Sequence, residues 1–99
     1  MFVGASKAAL EALVRSWAAE LAPRRIAVNA VSAGVVETEA LEAFPHGKEI
    51  LAEYARRSPA GRTVRADEVA SAVCMLCRPD VEVLTGQVVV VDGGYTTVS

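Results

Sequence analysis

The sequence has few of the residues that would identify a metalloprotein or a nucleic-acid-binding protein. It contains one histidine, His46, and two cysteines, Cys74 and Cys77, which together fall short of the four ligands of a closed zinc site. Basic residues adjoin one another only in pairs, and the formal net charge is −2. We therefore predict no metal site, and we expect neither nucleic acid nor an anionic membrane as a partner.

Long apolar runs and glycine-rich turns are missing too. No apolar run approaches the roughly 20 residues of a membrane span, and the opening Met-Phe-Val-Gly lacks the basic region of a signal peptide. We therefore expect a cytoplasmic protein. The chain also has no Gly-x-Gly-x-x-Gly turn of the kind that holds a dinucleotide pyrophosphate.

What the chain does contain is small aliphatic residues. Of its 99 residues 53% are hydrophobic but only 5% are aromatic, so alanine, valine and leucine supply the excess. This composition is typical of elements that are covered on both sides, and so short a chain cannot supply all of that cover itself. The composition therefore predicts an incomplete domain.

The first long pattern predicts a helix over residues 4–21. Five apolar residues recur at helical spacing and predict a core-facing stripe: Leu10, Leu13, Val14, Trp17 and Leu21. A second row carries only small side chains and would let another backbone approach closely: Ala5, Ala8, Ala12, Ser16 and Ala19. Lys7 lies in the first turn, where a cation opposes the helix dipole, so its position reflects either a catalytic role or simple solvent exposure.

A strand predicted over residues 26–31 is followed by a loop over residues 32–38. In open parallel sheets ligands bind beyond the carboxyl ends of strands, so this loop is a candidate site. Gly34 would permit a tight turn or the close approach of a ligand. Thr38 could bond a ligand or cap the next helix.

The rest of the chain predicts two short helices over residues 39–44 and 48–57, a longer one over 66–77, and a strand over 87–91. Pro45-His46-Gly47 separates the two short helices, which suit a flap over a ligand site, with His46 as a solvated turn residue. Cys74 and Cys77 fall on the apolar face of the longer helix, so we expect buried small hydrophobic residues there. The order predicts an α/β fold: part of a doubly wound parallel sheet with about two strands and four helices.

Four short motifs in register resemble the short-chain dehydrogenase/reductases. They are Ser6-Lys7-Ala8-Ala9-Leu10 opening a helix, Val28-Asn29-Ala30-Val31, a small-residue loop with Thr38 four positions after Gly34, and Val91-Asp92-Gly93-Gly94. The likeness covers nearly all of residues 1–99 and implies the C-terminal segment of one Rossmann-like domain. Within the family, Ser32-Ala33-Gly34 and Pro59-Ala60-Gly61-Arg62 are similar to the enoyl-acyl-carrier-protein reductase III branch.

The resemblance also concerns the catalytic acid. The usual family spacing places a tyrosine four residues before the lysine, where this chain has Val3, whereas the enoyl reductase branch would place it one position before Met1. We therefore expect the chain to begin just after its catalytic tyrosine. Without that residue and a glycine-rich loop, the isolated chain should be inactive.

The family's roles carry over position by position. The resemblance implies that Lys7 bonds the nicotinamide ribose of NADPH or NADH and lowers the pKa of the tyrosine. It implies that Val36 offers its backbone to the nicotinamide carboxamide, that Thr38 bonds the carboxamide or the pyrophosphate, and that Gly34 belongs to the same cofactor-binding loop. Residues 39–57 would be the substrate flap, the substrate an acyl thioester carried on acyl carrier protein, and the first helix and last strand an interface between identical subunits.

Two other functions stay open. A 3-oxoacyl reductase or another alcohol dehydrogenase of the same family would share nearly everything after the lysine, although Val3 argues against it. A noncatalytic fragment that dimerises through its apolar faces would belong to a different class.

Overall fold

The computed structural model describes residues 2–98, and the side chains at positions 2, 3, 40 and 42 lie outside that description, including the Val3 side chain discussed above. Four α-helices and two strands follow one another along the chain: α1 Phe2–Leu21, β1 Ala30–Ala33, α2 Glu39–Glu42, α3 Gly47–Arg57, α4 Ala66–Leu76 and β2 Val88–Val91. Strands β1 and β2 pair in a parallel sheet. The predicted α/β class is therefore confirmed.

The chain divides into two compact units. One comprises Met1–Val31 with Val73–Val89, and the other comprises Ser32–Ala72 with Val90–Ser99.

In the first unit, the sheet begins later than predicted. The sequence predicted a strand over 26–31, whereas β1 spans Ala30–Ala33. The side chain of Asn29 explains the difference, because its amide donates to the Leu84 carbonyl oxygen at 2.8 Å and its oxygen accepts from the Gln87 N–H at 3.1 Å. These side-chain bonds, together with the Gly86 N–H that donates to the Val28 carbonyl oxygen at 2.8 Å, join the segment before residue 30 to residues 84–87 without a regular strand ladder.

Helix α1 buries a narrower edge than its apolar stripe predicted. Val14 and Ala18 are buried, at 5% and 4% exposure, whereas Leu10, Leu13 and Trp17 are each between 44% and 53% exposed. The buried edge is not the predicted small-residue row, all of which is exposed. The expectation that the whole stripe is buried is wrong because only this edge finds cover; a Cβ added at Gly86 would lie 3.3 Å from the Ala18 Cβ.

Helix α4 likewise corrects the expectation for the cysteines. It begins at Ala66 as predicted, but none of its residues is buried. Cys74 and Cys77 are both free and exposed rather than buried. The apolar pattern of the helix remains, but within the described residues no layer covers this part of its face, since Val73 and Met75 are also 45% and 43% exposed.

In the second unit, the turn after β2 is bonded to the end of α3. The Gly93 carbonyl oxygen accepts from the Ser58 hydroxyl at 3.2 Å and from the Ala60 N–H at 3.0 Å. Gly93 has a φ of +66°, and a Cβ there would lie 2.8 Å from the Ser58 Oγ, so glycine meets both a backbone and a space requirement. The turn therefore fixes the position of the C-terminal end of α3.

Candidate active-site loop and flap cleft

The loop that follows β1 is held by one parallel bridge. The Val64 N–H donates to the Val35 carbonyl oxygen, and the Glu37 N–H donates to the Val64 carbonyl oxygen, both at 3.2 Å. Because Val64 bonds to the residues on either side of Val36, the N–H and C=O of Val36 itself point to the opposite edge of the loop. A rigid segment thus presents one donor and one acceptor side by side.

Thr38 ends this loop and caps helix α2. Its hydroxyl oxygen accepts from the Leu41 N–H at 3.1 Å, so the capping interpretation is confirmed. The cap uses an acceptor lone pair, and the hydroxyl hydrogen remains able to donate elsewhere. Capping and ligand binding are therefore compatible at this residue.

Glycine is required at position 34 because of Tyr54, a neighbour that the sequence did not indicate. A Cβ at Gly34 would overlap the hydroxyl group of Tyr54 and lie 2.8 Å from its Cζ. Gly34 is not among the residues with positive φ, so the requirement is for space rather than for an unusual backbone conformation. The glycine gives room to a tyrosine from helix α3.

Tyr54 is a buried anchor between α3 and the turn after β2. Its hydroxyl donates to the Asp92 carbonyl oxygen at 2.8 Å, and its ring stacks on Tyr95 with centroids 4.5 Å apart and planes 13° apart. Burial raises the pKa of Tyr54, and the negative charge of Asp92 raises it further. A tyrosine with a raised pKa and an engaged hydroxyl serves as a structural donor and not as an acid catalyst.

Asp92 shapes the turn that receives this anchor. Its carboxylate accepts from the Thr96 N–H and the Gly94 N–H, both at 2.9 Å, and the bonds at Thr96 are the largest cause of its lowered pKa. A carboxylate that holds two backbone donors keeps its charge and its position. These contacts give Asp92 a structural role in the turn.

An apolar cleft of about 340 Å³ lies between α3 and the loop; we call it the flap cleft. It is within the size range of small-molecule sites, about 300–1,000 Å³. Its lining combines aliphatic and aromatic walls with a polar rim: Val35, His46, Glu49, Ile50, Glu53, Tyr54 and Tyr95.

The carboxylates on the rim of the flap cleft are all engaged. Glu49 pairs with His46 at 3.1 Å, and Glu53 pairs with Arg56 at 2.7 Å and with Arg57 at 3.3 Å. The hydrogen bond from Arg56 is the largest cause of the lowered pKa of Glu53. His46 lies in the exposed turn, as expected. Both acids are engaged at the rim, Glu53 by two guanidinium groups and Glu49 by His46, and the walls of the flap cleft are apolar.

The sequence-predicted site residues fall into both units. Gly34, Val36 and Thr38 belong to one loop, at the carboxyl end of β1, as predicted. Lys7 is an exposed residue of helix α1 in the first unit. Sequence reasoning missed Tyr54 and Tyr95, although they are the chain's two tyrosines and Tyr95 directly follows the glycine pair.

The described residues, 2–98, offer neither a metal-binding cluster nor a membrane-spanning helix. No group of three or more histidine, cysteine, aspartate or glutamate side chains there could hold a metal ion. No helix in this part of the chain is long and apolar enough to cross a membrane.

Comparisons with known proteins give consistent similarities. A family model described as enoyl-(acyl carrier protein) reductase matches residues 1–96. A tropinone reductase homolog from Arabidopsis thaliana is 40% identical over 93 residues, which are 94% of this chain and 35% of that protein. A 3-oxoacyl-[acyl-carrier-protein] reductase from Thermotoga maritima is 40% identical over 90 residues, which are 91% of this chain and 36% of that protein.

The fold of this chain is also similar to that of a solved structure. The crystal structure of a short chain dehydrogenase family protein from Francisella tularensis superposes with a TM-score of 0.81 at 28% identity, covering 93% of this chain and 42% of that one. This chain thus spans about a third of the length of the two curated relatives.

Proposed function

Because this chain belongs to the short-chain dehydrogenase/reductase family of oxidoreductases, we propose that it is the C-terminal segment of an NAD(P)H-dependent enzyme that reduces the enoyl double bond of an acyl-carrier-protein thioester. The family generally uses NAD(P)(H). The observation that carries the proposal is the match over residues 1–96 to a model of enoyl reductases.

The loop after β1 fits the nicotinamide end of such a cofactor. The outward N–H and C=O of Val36 complement a carboxamide, which has one acceptor oxygen and a donor NH₂ group. Thr38 lies between Glu37 and Glu39, whose negative charges disfavour a pyrophosphate there, so its hydroxyl is assigned to the carboxamide. Gly34 leaves space beside the loop for the Tyr54 hydroxyl, which a Cβ at this position would overlap. The bound cofactor supplies a hydride.

Lys7 is assigned to the nicotinamide ribose and to the catalytic tyrosine. A fixed ammonium group a few ångströms from a phenol favours phenolate and lowers a pKa of about 10 toward neutral pH. Neither tyrosine of this chain is assigned that task, since Tyr54 has a raised pKa and Tyr95 is stacked on it. The acid is therefore proposed to come from residues outside this sequence.

The flap cleft is proposed to receive the acyl chain, and residues 39–57 to act as the substrate flap. Its walls are apolar and the rim charge of Glu53 is paired with Arg56, so a hydrocarbon would displace water there without leaving that ion unpaired. Tyr54 fixes the C-terminal part of α3 through its hydrogen bond to the Asp92 carbonyl oxygen.

The test is oxidation of NADPH and of NADH with a crotonyl thioester. The product of the native gene and the 99-residue chain should be assayed side by side. We expect activity in the first and none in the second. Lys7→Ala should lower the rate by about 10²–10⁴-fold, the usual contribution of a proton-transfer group, whereas Arg15→Ala on the same helix should not. A native product that oxidises neither cofactor with any thioester would refute the proposal.

A second candidate is reduction of a ketone. It is favoured by the names of the two curated relatives, a tropinone reductase homolog and a 3-oxoacyl reductase. An acetoacetyl thioester in the same assay distinguishes the two, because an enoyl reductase should prefer the crotonyl substrate. A preference for the acetoacetyl thioester would show that ketone reduction, and not enoyl reduction, is the function.

The partners proposed are acyl carrier protein and a second copy of this chain. Helix α1 and strand β2 expose apolar side chains, among them Trp17 at 47% and Val90 at 48%. If the chain is instead a noncatalytic dimerising fragment, sedimentation should give a stable dimer without any NAD(P)H-dependent activity. A well-behaved monomer would exclude that alternative.

A further inference from the structure

Residues 62–65, which we call the bridging segment, carry the residue that pairs with the loop after β1. That residue is Val64, which is 4% exposed and bonds through its N–H and its carbonyl oxygen to the backbone on either side of Val36. Both hydrogen bonds are 3.2 Å long. The direction in which the N–H and C=O of Val36 point therefore depends on where the bridging segment lies.

One carboxylate holds both ends of the bridging segment. At its first residue, the Arg62 guanidinium donates to the two Glu68 carboxylate oxygens at 2.6 and 2.7 Å, in the two-bond geometry that matches a guanidinium to a carboxylate. At its last residue, the Arg65 N–H donates to Glu68 Oε1 at 3.0 Å. Val64 thus lies between two residues that are bonded to the same side chain.

Glu68 is itself fixed by its place in helix α4. It is the third residue of the helix, and its own N–H donates to the Arg65 carbonyl oxygen at 3.0 Å. Its carboxylate therefore closes the first turn as the acidic residue of a capping box does. The hydrogen bond from Arg62 is the largest cause of its lowered pKa, so the carboxylate keeps its charge at neutral pH. Helix α4 thus gives the bridging segment a fixed attachment.

We propose that Arg62 and Glu68 are positioning residues for the nicotinamide end of the cofactor. They act through the bridging segment on the backbone of Val36, and neither side chain is assigned a contact with the cofactor. The inference rests on the proposed function, because it concerns the donor and acceptor that Val36 offers to a carboxamide. Removing the ion pair frees the first residue of the bridging segment, so Val36 is held less firmly in the orientation that binds.

The test compares binding of the cofactor with binding of its nicotinamide-free part, in the product of the native gene. Arg62→Ala removes the guanidinium but leaves Glu68 able to hold the Arg65 N–H. We expect this change to raise the dissociation constant of NADPH or NADH by about 2–10-fold, the equivalent of one ordinary hydrogen bond. The dissociation constants of ADP-ribose and its 2′-phosphate should not change. Arg78→Ala is the matched control, since it breaks a comparable two-bond pair with Asp80, at 2.6 and 3.0 Å, and should alter neither constant.

Amide hydrogen exchange measures the step through the bridging segment. In Arg62→Ala the Val64 and Glu37 amides should exchange about 2–10-fold faster, because the same contact is lost. Arg62→Lys keeps the charge without the two-bond fork, so it should give smaller changes of the same kind, and it supplies the comparison if circular dichroism shows that Arg62→Ala does not fold.

Three results would overturn the proposal. Unchanged exchange at Val64 and Glu37 would show that the ion pair does not hold the bridging segment. Unchanged binding of NADPH and NADH would show that the loop does not depend on it. Equal weakening of the cofactor and of ADP-ribose would show a merely structural role. A wild-type protein that binds neither NADPH nor NADH would be a different failure, because it would refute the proposed function and this inference with it.

Discussion

Replacing Gly34 with alanine tests whether this glycine exists to make room for Tyr54. The new methyl group would overlap the Tyr54 hydroxyl, so the tyrosine must leave the Asp92 carbonyl or the loop must shift. Overpacking costs about 1–3 kcal/mol, and stranding a buried acceptor costs about 1–3 kcal/mol more. We therefore expect Gly34→Ala to lower the free energy of unfolding by about 2–6 kcal/mol.

A double-mutant cycle with Tyr54→Phe separates the two costs. Tyr54→Phe alone removes the 2.8 Å bond to Asp92 and should cost about 1–3 kcal/mol. In the double variant the overlap with the hydroxyl is absent. The sum of the destabilisations of the two single variants should therefore exceed the destabilisation of the double variant by about 1–3 kcal/mol. Urea unfolding followed by far-ultraviolet circular dichroism measures all four proteins.

The matched control is Gly4→Ala in helix α1. A Cβ there meets nothing within 4 Å, so the change should stabilise the helix by about 0.5–1 kcal/mol. If Gly34→Ala were as harmless as this control, or if the cycle were additive within about 0.5 kcal/mol, Gly34 would not be serving Tyr54.

Three further predictions concern single contacts. Thr38→Ala should cost about 1 kcal/mol locally by removing the cap of α2, seen as faster hydrogen exchange at the Leu41 amide; an unchanged rate would count against the cap. Asn29→Ala should lower the free energy of unfolding by about 1–3 kcal/mol, because it leaves the Leu84 carbonyl oxygen and the Gln87 N–H without their side-chain partner. A loss below about 0.5 kcal/mol would contradict this. Glu68 has its pKa lowered to about 2, first by the Arg62 hydrogen bond and next by the Arg65 N–H. Because the folded pKa is the lower one, its stabilisation is full above the unfolded value of about 4.3 and is lost as pH falls toward 2. Glu68→Gln should therefore flatten stability across that window, and an identical acid profile would contradict the assignment.

The sequence predicted best what depends on neighbouring residues. Helix α1 ends before Pro23 because proline restricts the backbone of the residue before it. The first turn of α4 is acidic, as the helix dipole favours, and the Thr38 side chain caps α2 by a local hydrogen bond. Each was found where the sequence placed it. The parallel valine-rich strand β2 was also predicted to within one residue.

What the sequence could not predict depends on contacts between distant residues. The start of β1 depends on Asn29 bonding to a segment 55 residues away. Tyr54 was not singled out from the sequence, and only its position against Gly34 and Asp92 shows it to be an anchor. Burial of Cys74 was wrong because periodicity identifies an apolar face without showing whether anything covers it.

The proposed enzyme, of which this chain is a part, transfers a hydride from a nicotinamide to an acyl thioester. The most direct measurement follows the hydride itself, using NADPH or NADH deuterated on either face of C4 with the product of the native gene and a crotonyl thioester. The account predicts one deuterium on carbon in the saturated product, from one face only. Cofactor oxidation that leaves no deuterium in the acyl chain from either face would contradict it.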